Sequence, residues 1–240
     1  MREQALHLGQ AERVEVHRTP AFKLLVGVDH EVVVRQGTRA VGVRAALVPP
    51  MTTHAVEAPG IAVGCFWSVG TWGASPGGRR EPVILEGAAL ARVLAWGREV
   101  SRTGGGEDPE LAAEGARLLA PPDARPLDGR VLRALRQVDA FPWGSSAALA
   151  ETTKLSAERL RHLVAAETGV PLRQHRLFAR TMRAIELMLR GRALSYAAAE
   201  AGFADQAHMT RTFRRCFGRL PSNRPAGAIL HAPWAAHVAG

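Results

Sequence analysis

The segment Ala120-Pro121-Pro122-Asp123-Ala124-Arg125-Pro126 sets three prolines in seven positions. Each proline fixes φ and lacks an N–H, so neither a helix interior nor a central strand can run through it. The 240-residue chain is therefore divided near its middle, and charge changes at the division. Residues 1–127 carry 14 basic and 14 acidic side chains, whereas residues 128–240 carry 17 and 8. The whole net charge of +9 lies in the second part and calls for an anionic partner there. A hydrophobic content of 47% excludes a disordered chain, and no apolar run reaches the roughly 18 to 20 residues of a membrane helix. The expected organisation is residues 1–120, a linker at 121–127, a second domain at 128–226 and a tail at 227–240.

The first part reads as short β-strands. Phe22 to Val28, Glu31 to Arg35, Arg44 to Val48 and Ile61 to Val69 are rich in strand formers and separated by turn residues such as Gln36-Gly37, Pro49-Pro50 and Pro59-Gly60. A small barrel or sandwich is expected. Ser75 to Pro82 reads as a loop. Leu85 to Ser101 and Pro109 to Leu119 then show helical spacing on either side of Thr103-Gly104-Gly105-Gly106, and such a pair can close the β-domain or meet a second copy. Cys65 and Cys216 lie in apolar stretches 151 positions apart, which favours reduced core thiols over a bridge. The first twenty residues lack a signal-peptide pattern, so a cytoplasmic protein is expected.

Beyond Asp128 the pattern is helical: Arg130 to Ala140, Ser146 to Thr152, Ser156 to Thr168, Leu172 to Arg190, Ser195 to Ala201 and Asp205 to Phe217. In Ala204 to Gly218 the apolar residues Met209, Phe213, Cys216 and Phe217 form one stripe, so Ala207, Arg211 and Arg214 project from the opposite face, with His208 and Thr210 flanking it and Gln206 in the first turn. The short Ala-rich helix before it ends at Gly202, which allows a sharp turn. This is a helix-turn-helix, whose second helix carries donors suited to base edges and phosphates. Ala147 to Glu167 repeats the arrangement. There Leu160, Leu163 and Val164 point inward, Glu158 and His162 point outward with Arg159 and Arg161 beside them, and Lys154 stands in the turn at a cost of roughly 1 kcal/mol or more. One basic amphipathic helix is most often a solvated face; two such units, holding all the surplus charge, favour DNA.

These residues resemble the C-terminal signature of AraC/XylS-type transcription regulators: Gly191-Arg-Ala-Leu194, Ala201-Gly202-Phe203, Gln206-Ala-His208, Arg211-Thr-Phe213, and Phe217-Gly218 with Pro221-Ser222. Leu149-Ala150, Leu155-Ser156, Arg159-Leu160 and Glu167-Thr-Gly169 extend the resemblance over Asp128 to Ser222. It implies seven helices in which two helix-turn-helix units, joined by Leu172 to Arg190, enter successive major grooves. Carried over by position, it implies base contacts from Glu158, Arg161, His162, Gln206, His208, Thr210 and Arg211. Backbone contacts would come from Arg173, Gln174, Arg214, Arg215 and Ser222. Glu158 can accept from a cytosine amino group or simply face solvent. Lys154 replaces the usual turn glycine, and Asn223-Arg224-Pro225 replaces the usual Tyr-Arg after Pro-Ser.

The resemblance also implies a cupin-like β-domain for a small-molecule effector, and Ala46 to His54 is similar to its hairpin segment. The fold class expected is thus α+β in two domains, a cupin-like barrel with two helices followed by an all-α domain. His54 and Trp67 are the candidate effector-pocket residues; core burial is the alternative for Trp67 and Trp72, and a hairpin role for His54. His17, His30 and His54 lack metal-binding spacing, so no metal and no cofactor is expected. The expected function is sequence-specific transcription regulation without catalysis, as activator or repressor. Expected partners are double-stranded DNA, a small-molecule effector, a second copy, and RNA polymerase if the protein activates. The competing readings are a non-catalytic interaction module and a cupin-type metalloenzyme fused to a DNA-binding domain.

Overall fold

The computed structural model describes residues 4–10, 13–68, 81–103, 114–115, 117–118 and 126–222. Among the described residues nine strands form two antiparallel sheets: β1 (Gln4–Gln10), β2 (Val14–His17), β3 (Ala21–Gly27), β4 (Val32–Gln36), β5 (Arg39–Val43), β6 (Ala45–Val48), β7 (His54–Glu57), β8 (Ile61–Ser68) and β9 (Val83–Ile84). One sheet has the order β1-β8-β3-β6-β9 and the other β2-β7-β4-β5. Among the described residues the two sheets do not hydrogen-bond into one closed wall. The expected cupin-like barrel is therefore an open pair of packed sheets.

β3 is the hub. It pairs with both β8 and β6, and every residue of AFKLLVG is buried. Phe22, Leu24 and Val26 pack with Trp67 under Val93, Trp96 and Val100 of α1 (Gly87–Arg102). Leu25, on the opposite face, packs with Val32, Val34, Val43 and Val56 of the second sheet. Two covered faces explain why β3 reads as a continuous apolar run. Lys23 shares the parity of Leu25, which turns it inward between the sheets. Of the expected second helix, Pro109 to Leu119, residues 114–115 and 117–118 are helical; the rest, with the Ser75 to Arg80 loop and Gly104 to Gly106, lies outside the described residues.

The second part holds α2 (Gly129–Ala140), α3 (Ser146–Thr153), α4 (Ala157–Thr168), α5 (Leu172–Leu189), α6 (Leu194–Glu200) and α7 (Gln206–Phe217). Their starts follow local chemistry. Asp128, Ser145, Ser156 and Asp205 each accept a backbone N–H of the first turn. α4 and α7 stop at Gly169 and Gly218, both left-handed. α5 belongs to two apolar clusters: its start joins Val131, Leu135, Leu149, Leu160 and Val164, and its end joins Ala197, Ala198, Phe203 and Met209. One long helix thereby fixes α3–α4 relative to α6–α7.

The two halves interlock. Phe66 of β8 lies in the cluster of α5–α7, and Val170 lies in the cluster beneath α1. The interface was not visible in the sequence, which marks only the proline-rich segment; residues 121–125 of that segment are outside the described ones.

Lys154 adopts φ 54°, ψ 36°, the left-handed conformation its position in the turn requires. It is exposed, so side-chain packing gives little in return. Lys154→Gly is expected to stabilise the protein by about 1 kcal/mol, read as a higher urea midpoint at unchanged m-value.

Candidate nucleic-acid interface

α7 buries Met209, Thr212 and Cys216 and half-buries Phe213 and Phe217. The helical period then leaves Gln206, Ala207, Arg211, Arg214 and Arg215 exposed, with His208 and Thr210 half-buried at the edges. His208 stands edge-on to Phe203, 5.4 Å between ring centres, which fixes the imidazole against the turn that precedes α7. In that turn Gly202 has φ +75°. α4 shows the same division: Leu160, Val164 and Thr168 are buried, and Glu158, Arg159, Arg161 and His162 are exposed. Arg173 near the start of α5 is exposed, Gln174 is half-buried, and Ser222 is exposed. Every expected DNA-contacting residue thus reaches the surface wholly or in part. Helices α4 and α7, both held by α5, display the polar rows.

The end of α7 is seated on β2. The Glu15 N–H donates to the Gly218 carbonyl at 3.1 Å, the Arg18 N–H to that of Arg215 at 3.1 Å, and the Thr19 hydroxyl to that of Cys216 at 2.7 Å. These donors satisfy carbonyls that a helix end leaves open. A Cβ on Gly218 would lie 2.3 Å from the Glu15 carbonyl oxygen, and φ is +67°, so glycine is required twice over. Phe217 meets Phe66 edge-on at 5.3 Å.

A polar cluster lies beside this seat. His17 and His54 are cross-strand partners on β2 and β7, and their Nδ1 atoms meet the carbonyls of Glu15 and Thr52 at 2.8 and 2.9 Å. With Nδ1–H donated there, each Nε2 is an acceptor aimed at Lys23, 3.0 Å from His17 and 3.5 Å from His54. Burial, with Arg219 close by, pushes the Lys23 ammonium down to about 7. Burial and then the Lys23 charge hold His54 down at about 3 and His17 well below the usual imidazole range. Of the two expected effector-pocket residues, His54 belongs to this cluster. Trp67 is fully buried in the core under α1, and Trp72 lies outside the described residues. Sequence reasoning weighed His17 only as a metal ligand and missed Lys23, whose sole signal was a lysine inside a strand of otherwise apolar residues.

Cys65 and Cys216 are free and buried, and burial raises both thiols above their ordinary range. They are core thiols, as expected. No cluster of three or more His, Cys, Asp or Glu suited to a metal occurs among the described residues. No described helix is long and apolar enough to cross a membrane.

A family model described as a helix-turn-helix domain matches residues 149–224, from within α3 to beyond α7. A capped helix, a tight turn and a polar-faced helix within a surplus of basic charge define a DNA-binding transcription regulator. The matched segment is a helix-turn-helix domain of the AraC type. ToxT from Vibrio cholerae has a similar fold: its crystal structure aligns at TM-score 0.59 and 12% identity over 92% of this chain and 95% of that one. An apo ToxT variant from the same organism gives 0.62 and 11% over 92% and 96%. Wild-type V. cholerae ToxT bound to an unsaturated fatty acid gives 0.53 and 14% over the same shares. Such identities speak for the fold alone. A search of curated protein sequences returns no match.

His175 of α5 is buried against the Thr168 hydroxyl, 3.1 Å from its Nε2, and burial holds it at about 4. The unfolded chain, titrating near 6.5, binds more protons than the folded one between pH 6.5 and 4. Stability is therefore full above pH 6.5 and falls as pH drops to 4, by on the order of 1–3 kcal/mol from this residue. Urea titrations at pH 7 and 4.5 should show that loss, and His175→Gln should reduce it.

Proposed function

We propose that the protein reads two successive major grooves of duplex DNA with two helix-turn-helix units, α3–α4 and α6–α7. The carrying observation is that α4 and α7, both packed on α5, expose polar rows opposite their buried stripes. Glu158, Arg161 and His162 would face bases in one groove, and Gln206, His208, Thr210 and Arg211 in the next. Arg173, Gln174, Arg214, Arg215 and Ser222 would hold the phosphates. Phosphate contacts would supply most of the affinity at a steep salt dependence, and the base contacts the specificity. No catalytic step is needed.

We infer further that the β-domain senses a small molecule or mediates pairing with a second copy, with RNA polymerase as the partner if the protein activates. A ToxT structure holding an unsaturated fatty acid supports a carboxylate effector. In this chain Lys23, buried beside the seat of α7 with imidazole nitrogens as its hydrogen-bond acceptors, is the group best suited to receive one.

Selection of bound sites from random DNA should return a bipartite motif with half-sites about one helical turn apart. On that motif Arg211→Ala is expected to cost about 1 to 3 kcal/mol, and less on random duplex. Equal losses on both would make Arg211 a phosphate contact, and no binding at low salt would favour an interaction module.

A further inference from the structure

Arg214, near the end of the exposed face of α7, is already paired. Its Nε and Nη2 donate to one carboxylate oxygen of Glu15, at 2.7 and 2.6 Å. Glu15 belongs to β2, in the other half of the chain, and both side chains are more than half exposed. The approach is set by main chain rather than by the side chains themselves. The Glu15 N–H is bonded to Gly218, four residues beyond Arg214, and Gly218 has no room for a Cβ against Glu15. β2 thus brings a carboxylate onto a surface whose partner is a polyanion, and a guanidinium donates to carboxylate and phosphate through the same N–H fork.

We propose that Glu15 acts as an intramolecular stand-in for a DNA phosphate, so that the β-domain competes with DNA for Arg214 and sets the affinity of the second recognition helix. The proposal rests on the reading of Arg214 as a phosphate contact. The buried bonds of the seat hold β2 and α7 in register, and the solvent-exposed ion pair is the part that exchanges. Glu15 on Arg214 and phosphate on Arg214 are mutually exclusive. Anything that draws β2 away from α7 raises DNA affinity, and anything that tightens the seat lowers it. The exchange is modest in size, because an exposed pair contributes about 2- to 5-fold in an equilibrium constant.

The test uses the full chain and a fluorescent random-sequence duplex at low salt, since a phosphate contact acts on any sequence. Glu15→Gln is expected to tighten binding roughly 2- to 5-fold, and Arg214→Gln to weaken it. In the Arg214→Gln background Glu15→Gln should change nothing. Glu31→Gln, which removes the same charge from an exposed site elsewhere in the β-domain, should have little effect. Unchanged binding by Glu15→Gln, an equal gain from Glu31→Gln, or a gain that survives in the double variant would each overturn the competition. Full-strength binding by Arg214→Gln alone would instead remove the phosphate-contact reading beneath it.

Discussion

The seat of α7 on β2 is the constraint on which the rest of the arrangement depends. Three carbonyls at the end of α7 are satisfied not by solvent or by the helix's own cap but by donors from β2 and the two residues that follow it, about two hundred positions earlier in the chain. Two consequences follow from such a bond set. The helix cannot rotate or slide relative to the β-domain without exposing those groups, each of which costs on the order of 1–3 kcal/mol when left buried and unmet. The exposed polar row of α7 is therefore oriented by the β-domain as well as by α5. Gly218 makes the constraint strict, because any side chain there would meet main chain rather than a flexible group.

The buried Lys23 cluster adds a second layer to the same joint. A lysine between two sheets, facing imidazoles that already donate through Nδ1, is satisfied as a hydrogen-bond donor but not neutralised. Burying such a charge is unfavourable, and the depressed ammonium records that cost. His17 lies at the end of β2 between the two residues whose main-chain N–H groups hold α7, so the charge state of the cluster and the position of α7 share one stretch of chain. A domain that responds to a ligand needs such a shared element, since coupling requires both sites to bias the same part of the structure.

Much of the all-α half was legible in the residues. All six helices beyond Asp128 fall within one or two residues of where their period, caps and glycines put them, because these signals are local, and four of the six are capped by a side chain of their own sequence. The left-handed turn at Lys154 and the buried cysteines were also expected. The β-half was harder to read. Phe22 to Val28 and Ile61 to Val69 are found nearly as expected, but β1, β2, β5, β7 and β9 are too short or too mixed to show an alternating pattern. Strand pairing joins residues far apart in the chain, as in β3 with β8 and β2 with β7, and nothing local encodes such a match.

By itself the sequence determined the placement of all surplus charge in the second part and the two polar-faced helices with their turns, since charge and helical period are local properties. The tertiary structure alone decided that the halves interlock through Phe66 and Val170, that Lys23 meets His17 and His54, and that Glu15 reaches Arg214. Those contacts join residues brought together by sheet register and by the fit of one helix end against one strand, which no periodicity within a segment can specify.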